Sequence, residues 1–487
     1  MNGADLQALA PILLMGALCI ATMLSIAIRR HHGTVAVLAG LSCVATLATL
    51  PWAAAVAPRT VTILLQLDGL ALLSMGLLLL ATLVVIVLSY GYLSLHFAEH
   101  EEFEEFYLLL IVAAFGGLVL VAAGHFVSLF LGLELIGVSL YSLIGYLRTK
   151  RGPLEASLKY LILSGSASAF LLFGLALLYF QSGSLSFRAV GAAMTGDVAG
   201  SPLWVGGFVL VMVGIGFKLG VVPFHLWIPD VYQGAPAPIT AFLATVSKSA
   251  VVILLLRLTS DLGVLDQSPL QALLSVLAGA SMVAGNVLAL YQRNVKRMLA
   301  YSSIAHFGYL LTALLAGGAL AAEAVTFYLI AYVLMTLGAF GVVSLLSTTE
   351  RDADRLDDYR GLFWSRPWIA AIFMLALLSL AGIPVTAGFV GKFYAIAAGI
   401  DAGLWMLVLL LIVNSAVGVY YYLRLIVTLF EREPSTAEVM QIPPTWAITA
   451  TLGTAGLLLL WLGNYPEPVI DLIRNSILDL SHVAVRP

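Results

Sequence analysis

Fourteen predominantly apolar stretches run almost end to end along the chain, each near the roughly 20 residues that a helix needs to cross a bilayer core about 30 Å thick. They cover residues 7–28, 33–52, 68–94, 104–123, 125–147, 155–182, 202–228, 237–258, 269–290, 299–318, 322–347, 367–398, 402–430 and 444–464. A chain patterned in this way is predicted to be an all-α polytopic membrane protein with about 14 transmembrane helices. Composition points the same way: of 487 residues 61% are hydrophobic and only 10% charged, and mean hydropathy is +1.03. The opening MNGADLQALAPILLMG has no basic run ahead of its apolar one and reads as the start of a retained helix. With a net charge of −3 there is no concentrated basic surface, so the lipid bilayer is an expected partner and nucleic acid is not. Cys19 and Cys43 stand singly inside apolar runs, unlike the close-set thiolates of a metal or iron–sulfur site.

Loop charges orient the bundle, because Lys and Arg gather on the cytoplasmic side. One set of alternate loops, with Arg29, Arg30, Arg148, Lys296 and Arg351 among its members, holds fifteen basic residues; the other, with both termini, holds Arg59, Arg188, Arg257, Arg474 and Arg486. The bias places both termini outside the cytoplasm. Three of the twenty-three basic residues then remain, Lys218, Lys248 and Lys392, and Glu134 is the one carboxylate well inside a span.

A charge at the centre of a membrane helix costs on the order of 2.5–3.5 kcal/mol on insertion scales, so such residues face a bundle interior or water. Snorkelling of the long stems and a static Glu–Lys tie are the structural alternatives. A lysine in low dielectric tends to lose its proton and a nearby carboxylate favours keeping it, so moving the partner changes proton affinity. That is the physical requirement of a proton relay. Helix breaks accompany the charges. Pro223 follows Lys218 by five residues, and Pro384 with a run of glycines precedes Lys392. Broken helices at membrane depth mark ion sites in transporters.

Lys218 and Lys392 lie 174 residues apart, and the same displacement carries Glu134 beside His306 and Lys248 onto Tyr422. Five spans separate the copies, an odd number, so the pattern predicts an inverted repeat. His306 is a candidate relay on this ground, against the structural role of most membrane histidines. His225, between two prolines, is expected to hold the break or line an access path; an imidazole in water titrates near neutrality, so either residue is a candidate to pass a proton. GIGFKLG lies within a span with no preceding strand and is not read as a nucleotide loop. The acidic group Glu99, Glu101, Glu102, Glu104 and Glu105 and the run ERDADRLDDYRG, Glu350 to Gly361, are expected to be solvated cytoplasmic connectors.

The stretch VPFHLWIPDVYQGAPAPITAFLATVSK, with GLELIGVSLYSLIGY, AYSSIAHFGYL and GIPVTAGFVGKFY in the same order, resembles the subunit N family of bacterial NADH:quinone oxidoreductase, respiratory complex I. The likeness spans roughly residues 70 to 430 and marks an antiporter-like membrane subunit. It implies three N-terminal helices in 1–100, a five-helix repeat in 101–260, an inverted copy in 265–432, and a fourteenth helix with a tail in 440–487, with helices seven and twelve broken. It further implies a Glu134–Lys218 pair, the relay lysines Lys248 and Lys392, the helix-ten histidine His306, and Tyr301 as a hydroxyl beside it. By the same resemblance FMN, iron–sulfur clusters and quinone belong to other subunits. Subunits M, K, J and L are the partners, and a bacterial inner membrane is the location, with both termini periplasmic. The rivals are a subunit of a multisubunit cation/proton antiporter and a spacer that transmits conformation without moving protons.

Overall fold

The structure, a computed structural model, describes residues 2–96, 102–193, 201–263, 265, 268–432 and 446–483. Glu99, Glu101 and Arg486 of the charge patterns above fall outside these residues, as do the first two residues of the last predicted span. The chain begins with α1 (Gly3–Ile28) and α2 (His32–Ala54), followed by a short antiparallel hairpin of β1 (Arg59–Val61) and β2 (Leu65–Leu67). Next come α3 (Gly69–His96), α4 (Glu105–Val121), α5 (Phe126–Ile144), α6 (Arg151–Ser182), α7 (Phe187–Ala193), α8 (Pro202–Leu219) and α9 (Trp227–Gly234). A single rod follows, made of α10 (Ala237–Phe242), a π turn at Leu243–Ser247 and α11 (Lys248–Leu262). Then come α12 (Ser268–Leu290), α13 (Val295–Leu315), α14 (Gly318–Leu346), α15 (Leu362–Ser365), α16 (Pro367–Ala381), α17 (Ala387–Asp401), α18 (Trp405–Phe430), α19 (Trp446–Asn464) and α20 (Glu467–Val483).

Among the described residues twelve helices, with the rod taken as one, have the length and apolarity to cross a membrane. The shorter apolar helices α4 and α16 occupy two more of the predicted stretches. The stretches 202–228 and 367–398 are each interrupted, at Leu219 and at Ala381. Helix starts follow local chemistry. Ser201 caps α8 ahead of Pro202 at its first position, and Asn294 caps α13 by accepting from the Arg297 amide.

Burial ranks the helices. All of the apolar window of the 237–262 rod is buried, as is 94% of that in α13 and 89% in α14, against 33% in α1, α2, α6 and α19. The three central helices therefore carry Lys248 and His306, and the outer ones turn Leu161, Ile162, Phe170 and Phe173 outward where lipid would lie. Lipid supplies no hydrophobic drive between helices, so close contact rests on small residues. A methyl on Gly174 would stand 2.6 Å from the Gly207 carbonyl oxygen, and one on Gly132 would stand 3.0 Å from that of Gly116. The segment expected as a tail contains α20, an amphipathic helix that buries Ile470, Ile473 and Ile477 and ties Arg474 to Glu323 at 2.9 and 3.1 Å. Its apolar residues recur every three to four positions, a helical stripe too short and too charged to register as a span.

Candidate functional site

Both breaks are built alike. Gly220 (φ 71°) and Gly382 (φ 81°) end α8 and α16 in the left-handed conformation that only glycine adopts without strain. Gly220 N–H and Val221 N–H both donate to the Gly216 carbonyl, and Gly382 N–H and Ile383 N–H both donate to that of Leu378, the same helix-ending motif twice. Freed backbone groups find partners. Trp227 Nε1 donates to the Phe217 carbonyl at 3.0 Å and Val222 N–H to Ser281 Oγ at 2.9 Å. The lysines, however, lie on opposite sides of their breaks: Lys218 is in the last turn of α8, whereas Lys392 is on α17 and folds back. Its ammonium donates to the carbonyls of Leu380 and Ala381 and to Ser415 Oγ, all at 2.9 Å, which uses all three of its donors. It thereby lies at the negative end of the α16 dipole.

Lys218 is buried, and its ammonium donates to Ser164 Oγ on α6 at 2.8 Å. Tyr141 of α5 donates its hydroxyl to the same oxygen at 2.9 Å. One turn further along α6, Ser168 donates to Glu134 Oε1 at 2.5 Å. Glu134 and Lys218 are thus presented to each other by two serines of one helix face, and no ion pair within 4.0 Å joins them among the described residues. The two groups face each other across these hydroxyls because α6 lies against both α5 and α8. Gly137 makes room for this arrangement, since a methyl there would be 3.0 Å from Lys218 Nζ.

Lys248 is fully buried, directly after the π turn, in contact with the faces of Tyr232 (5.4 Å) and Phe307 (4.7 Å). It donates to Ser303 Oγ at 2.9 Å, which bonds the Tyr332 hydroxyl at 2.7 Å. The neighbouring Ser302 bonds the hydroxyl of Tyr422, which also lies 3.4 Å from His306 Nε2; His306 Nδ1 is 2.9 Å from the Tyr328 hydroxyl. Asn286 continues the polar row, donating to Tyr309 at 2.8 Å and accepting from Tyr421 at 3.1 Å, and Lys392 lies 5.5 Å from the Tyr309 ring centre. The Gly220 break approaches from the other side, where a methyl on that glycine would come 3.7 Å from Lys248 Nζ.

Tyr301 and His225 stand apart from this row. Tyr301 is half-buried and, among the described residues, makes no hydrogen bond to His306. Residues five apart on a helix point well away from each other, and Tyr328 and Tyr422, from other helices, fill the position expected for it. His225 lies in the first break with a buried Nδ1 that bonds no protein atom. The displacement between the glycines of the two breaks also departs from that between the lysines, 162 residues against 174.

Several charged groups counted as loop residues are in fact internal, Arg257, Lys296 and Asp352 among them. Arg257 is 1% exposed and forms a two-pronged pair with Asp68 at 2.7 and 2.9 Å, with Gln66 at 3.0 Å. Lys296 is fully buried and bonds Asp352 and the Ala235 carbonyl, both at 2.6 Å. Tyr92 donates to the other Asp352 oxygen at 2.7 Å. The run from Glu350 to Gly361 is therefore folded in at Asp352 rather than solvated throughout. Burial there pushes the Asp352 carboxyl up, but the Lys296 charge and the Lys296 and Tyr92 hydrogen bonds outweigh it and hold the group below its ordinary 3.8. A lowered native value stabilises the fold above the ordinary carboxylate range, and that contribution is lost as pH falls through the native value. Asp352→Asn should accordingly lower the thermal midpoint at neutral pH, and the deficit should shrink below about pH 4. Thermal unfolding of the purified protein across that range measures it; a pH-independent deficit would deny the linkage.

Three buried ammoniums, a carboxylate, an imidazole and a row of hydroxyls inside a bundle with two broken helices can exchange protons, and among the described residues no three His, Cys, Asp or Glu side chains gather as metal ligands. This fold and site define an antiporter-like polytopic membrane subunit. The family model for the transmembrane region of NADH:quinone oxidoreductase and Mrp antiporters matches residues 123–418. NADH-quinone oxidoreductase subunit N of Ectopseudomonas mendocina is 49% identical over 481 residues, covering 97% of each chain. A chain of respiratory complex I from Thermus thermophilus superposes with a TM-score of 0.83 at 34% identity, over 96% of this chain and 100% of that one. A chain of the Mrp complex from Dietzia sp. shares the fold, with a TM-score of 0.80 at 20% identity over 99% of this chain and 98% of that one. The chain belongs to the NADH:quinone oxidoreductase/Mrp antiporter transmembrane family, in its subunit N group.

Proposed function

We propose that this chain is a proton-translocating subunit in the membrane arm of a bacterial NADH:quinone oxidoreductase and carries no redox centre itself. The observation that carries the reading is the row of buried ammoniums, Lys218, Lys248 and Lys392, each set on hydroxyl or carbonyl oxygens. Lys218 and Lys248 each use one of three donors within the described protein, which leaves both open to a proton-exchanging partner. Protons would pass between Lys218, near Glu134, and Lys248, and on past Ser303 and its neighbour Ser302 through Tyr422 and His306 toward Lys392. The two halves that carry these groups are read as the inverted repeats 101–260 and 265–432. FMN, iron–sulfur clusters and quinone would reside in partner subunits. Subunits M, K and J would be its neighbours and L a further partner in a bacterial inner membrane, with both termini on the periplasmic face.

The test is neutralisation at the first lysine. Lys218→Met and Glu134→Gln, introduced into the assembled complex, should each lower proton pumping and the coupled quinone reductase rate several-fold. An assembled variant that keeps the parental number of protons per electron pair would exclude the relay and favour the spacer reading.

A further inference from the structure

Asp230 belongs to the PDVYQG stretch, and the relay described above makes no use of it. It lies on α9, an eight-residue helix between the first break and the rod. A helix this short is held by its neighbours rather than by its own hydrogen bonds. Three helices hold it. Trp227 ties the start of α9 to the Phe217 carbonyl of α8 at 3.0 Å. Asp230 Oδ2 accepts from Lys159 of α6 at 2.8 Å, and Asp230 Oδ1 accepts from Arg297 of α13 at 2.7 Å. Arg297 also donates to Gln233 at 3.1 Å, and the adjoining Lys296 donates to the Ala235 carbonyl just past the helix. On the α6 side the backbones close up, since a methyl on Gly234 would stand 2.6 Å from that of Ala156 and 2.8 Å from the Gly152 carbonyl oxygen.

The two helices that meet at Asp230 are those that seat the lysines. α6 presents Ser164 to Lys218 and Ser168 to Glu134, and α13 presents Ser303 to Lys248. The rings of α9 reach the same two places. Trp227 packs on Tyr160 at 4.9 Å, whose ring centre is 5.7 Å from Lys218 Nζ, and the ring centre of Tyr232 is 5.4 Å from Lys248 Nζ.

We propose that Asp230 is a positioning residue of the proton path: its carboxylate clamps α6 and α13 onto α9 and so fixes the interval between the seats of Lys218 and Lys248. The proposal rests on the reading that these two lysines exchange protons. Asp230 and Lys159 line an open basin of about 630 Å³, and the side chains of Asp230, Lys159 and Arg297 are 36%, 42% and 27% exposed. Ion pairs this open to solvent add little to folding stability, so breaking them leaves a complex that assembles. Transfer between positioned groups is far less tolerant, because a remote change that misplaces them by about 1 Å can cost on the order of 10²-fold in rate.

Asp230→Asn, made in the assembled complex, keeps the side-chain shape and removes its charge. Pumping and the coupled quinone reductase rate should fall several-fold while native gels show intact complex. The solvent deuterium isotope effect on turnover should rise above the parental value, because a stretched proton transfer then limits the rate. A smaller population of working complexes would lower the rate and leave the isotope effect unchanged. Asp230→Glu keeps the two-pronged acceptor and should recover most of the rate with the parental isotope effect. Lys159→Met opens the α6 arm alone and should show the same pair of changes as Asp230→Asn. Parental pumping by assembled Asp230→Asn overturns the clamp, as does a slowed variant with the parental isotope effect, or an Asp230→Glu complex as slow as Asp230→Asn. These outcomes are separate from the test of Lys218 itself. If Lys218→Met stops pumping while Asp230→Asn pumps normally, the clamp alone falls; if Lys218→Met pumps normally, the relay falls and the clamp with it.

Discussion

Proton pumping by a complex carrying Lys248→Met should fall by roughly 10²-fold, the lower end of what a positioned proton-transfer group contributes. The complex should still assemble. Methionine is apolar and adaptable, and the Lys248 side chain ends between the rings of Tyr232 and Phe307, which an apolar tip can also contact. Ser303 keeps its bond to Tyr332, so no buried hydroxyl is stranded. Lys248→Arg separates charge from transfer, because a guanidinium retains the positive charge and cannot release its proton. Both variants should fail in proteoliposomes while native gels show intact complex. Normal pumping by Lys248→Met would remove the central link of the proposed path.

The other large effect is on the fold. Asp68→Ala would leave the Arg257 guanidinium buried without its counter-charge, a change that costs about 3–5 kcal/mol where it has been isolated. It would also remove the acceptor of the Ala71 amide at the start of α3, which Asp68 holds at 2.8 Å. Because α11 carries both Arg257 and Lys248, the pair pins the far end of the relay helix to α3 and the β2 strand. Asp68→Ala should therefore assemble poorly and unfold at lower temperature. The double change Asp68→Asn with Arg257→Met keeps a cap and removes both charges, and should recover much of the loss. Thermal unfolding of the parent and these two variants measures this, and a double variant no better than Asp68→Ala would show that the charge pair is not the source.

The three buried lysines were legible because they stand out against charge placement along the chain, which needs no tertiary information. The breaks were legible from Pro223 and Pro384, although Gly220 and Gly382, which set where each helix stops, precede those prolines. Ser164, Ser168, Ser303 and Tyr422 were not legible as site residues. A serine or tyrosine in a membrane helix has no distinguishing pattern, and its role depends on which helix lies opposite. Position along the chain was also a poor guide to burial at helix ends. Lys296 is the second residue of α13 and Arg257 is six from the end of the 237–262 rod, where loop counting places both outside, yet neighbouring segments cover them. The Glu134–Lys218 separation by serines is likewise set by how α6 packs.

Because Lys218 belongs to the segment before its break and Lys392 to the segment after its own, the same mechanical push acts on them differently. Any tilt of α17 against α16 drags the Lys392 ammonium off the Leu380 and Ala381 carbonyls, so its three bonds work as a detent that must be released. Tilting α9 against α8 would leave Lys218 seated on Ser164 and would disturb the Trp227 tether to Phe217. A tilt at each break would therefore shift Lys392 and leave Lys218 in place.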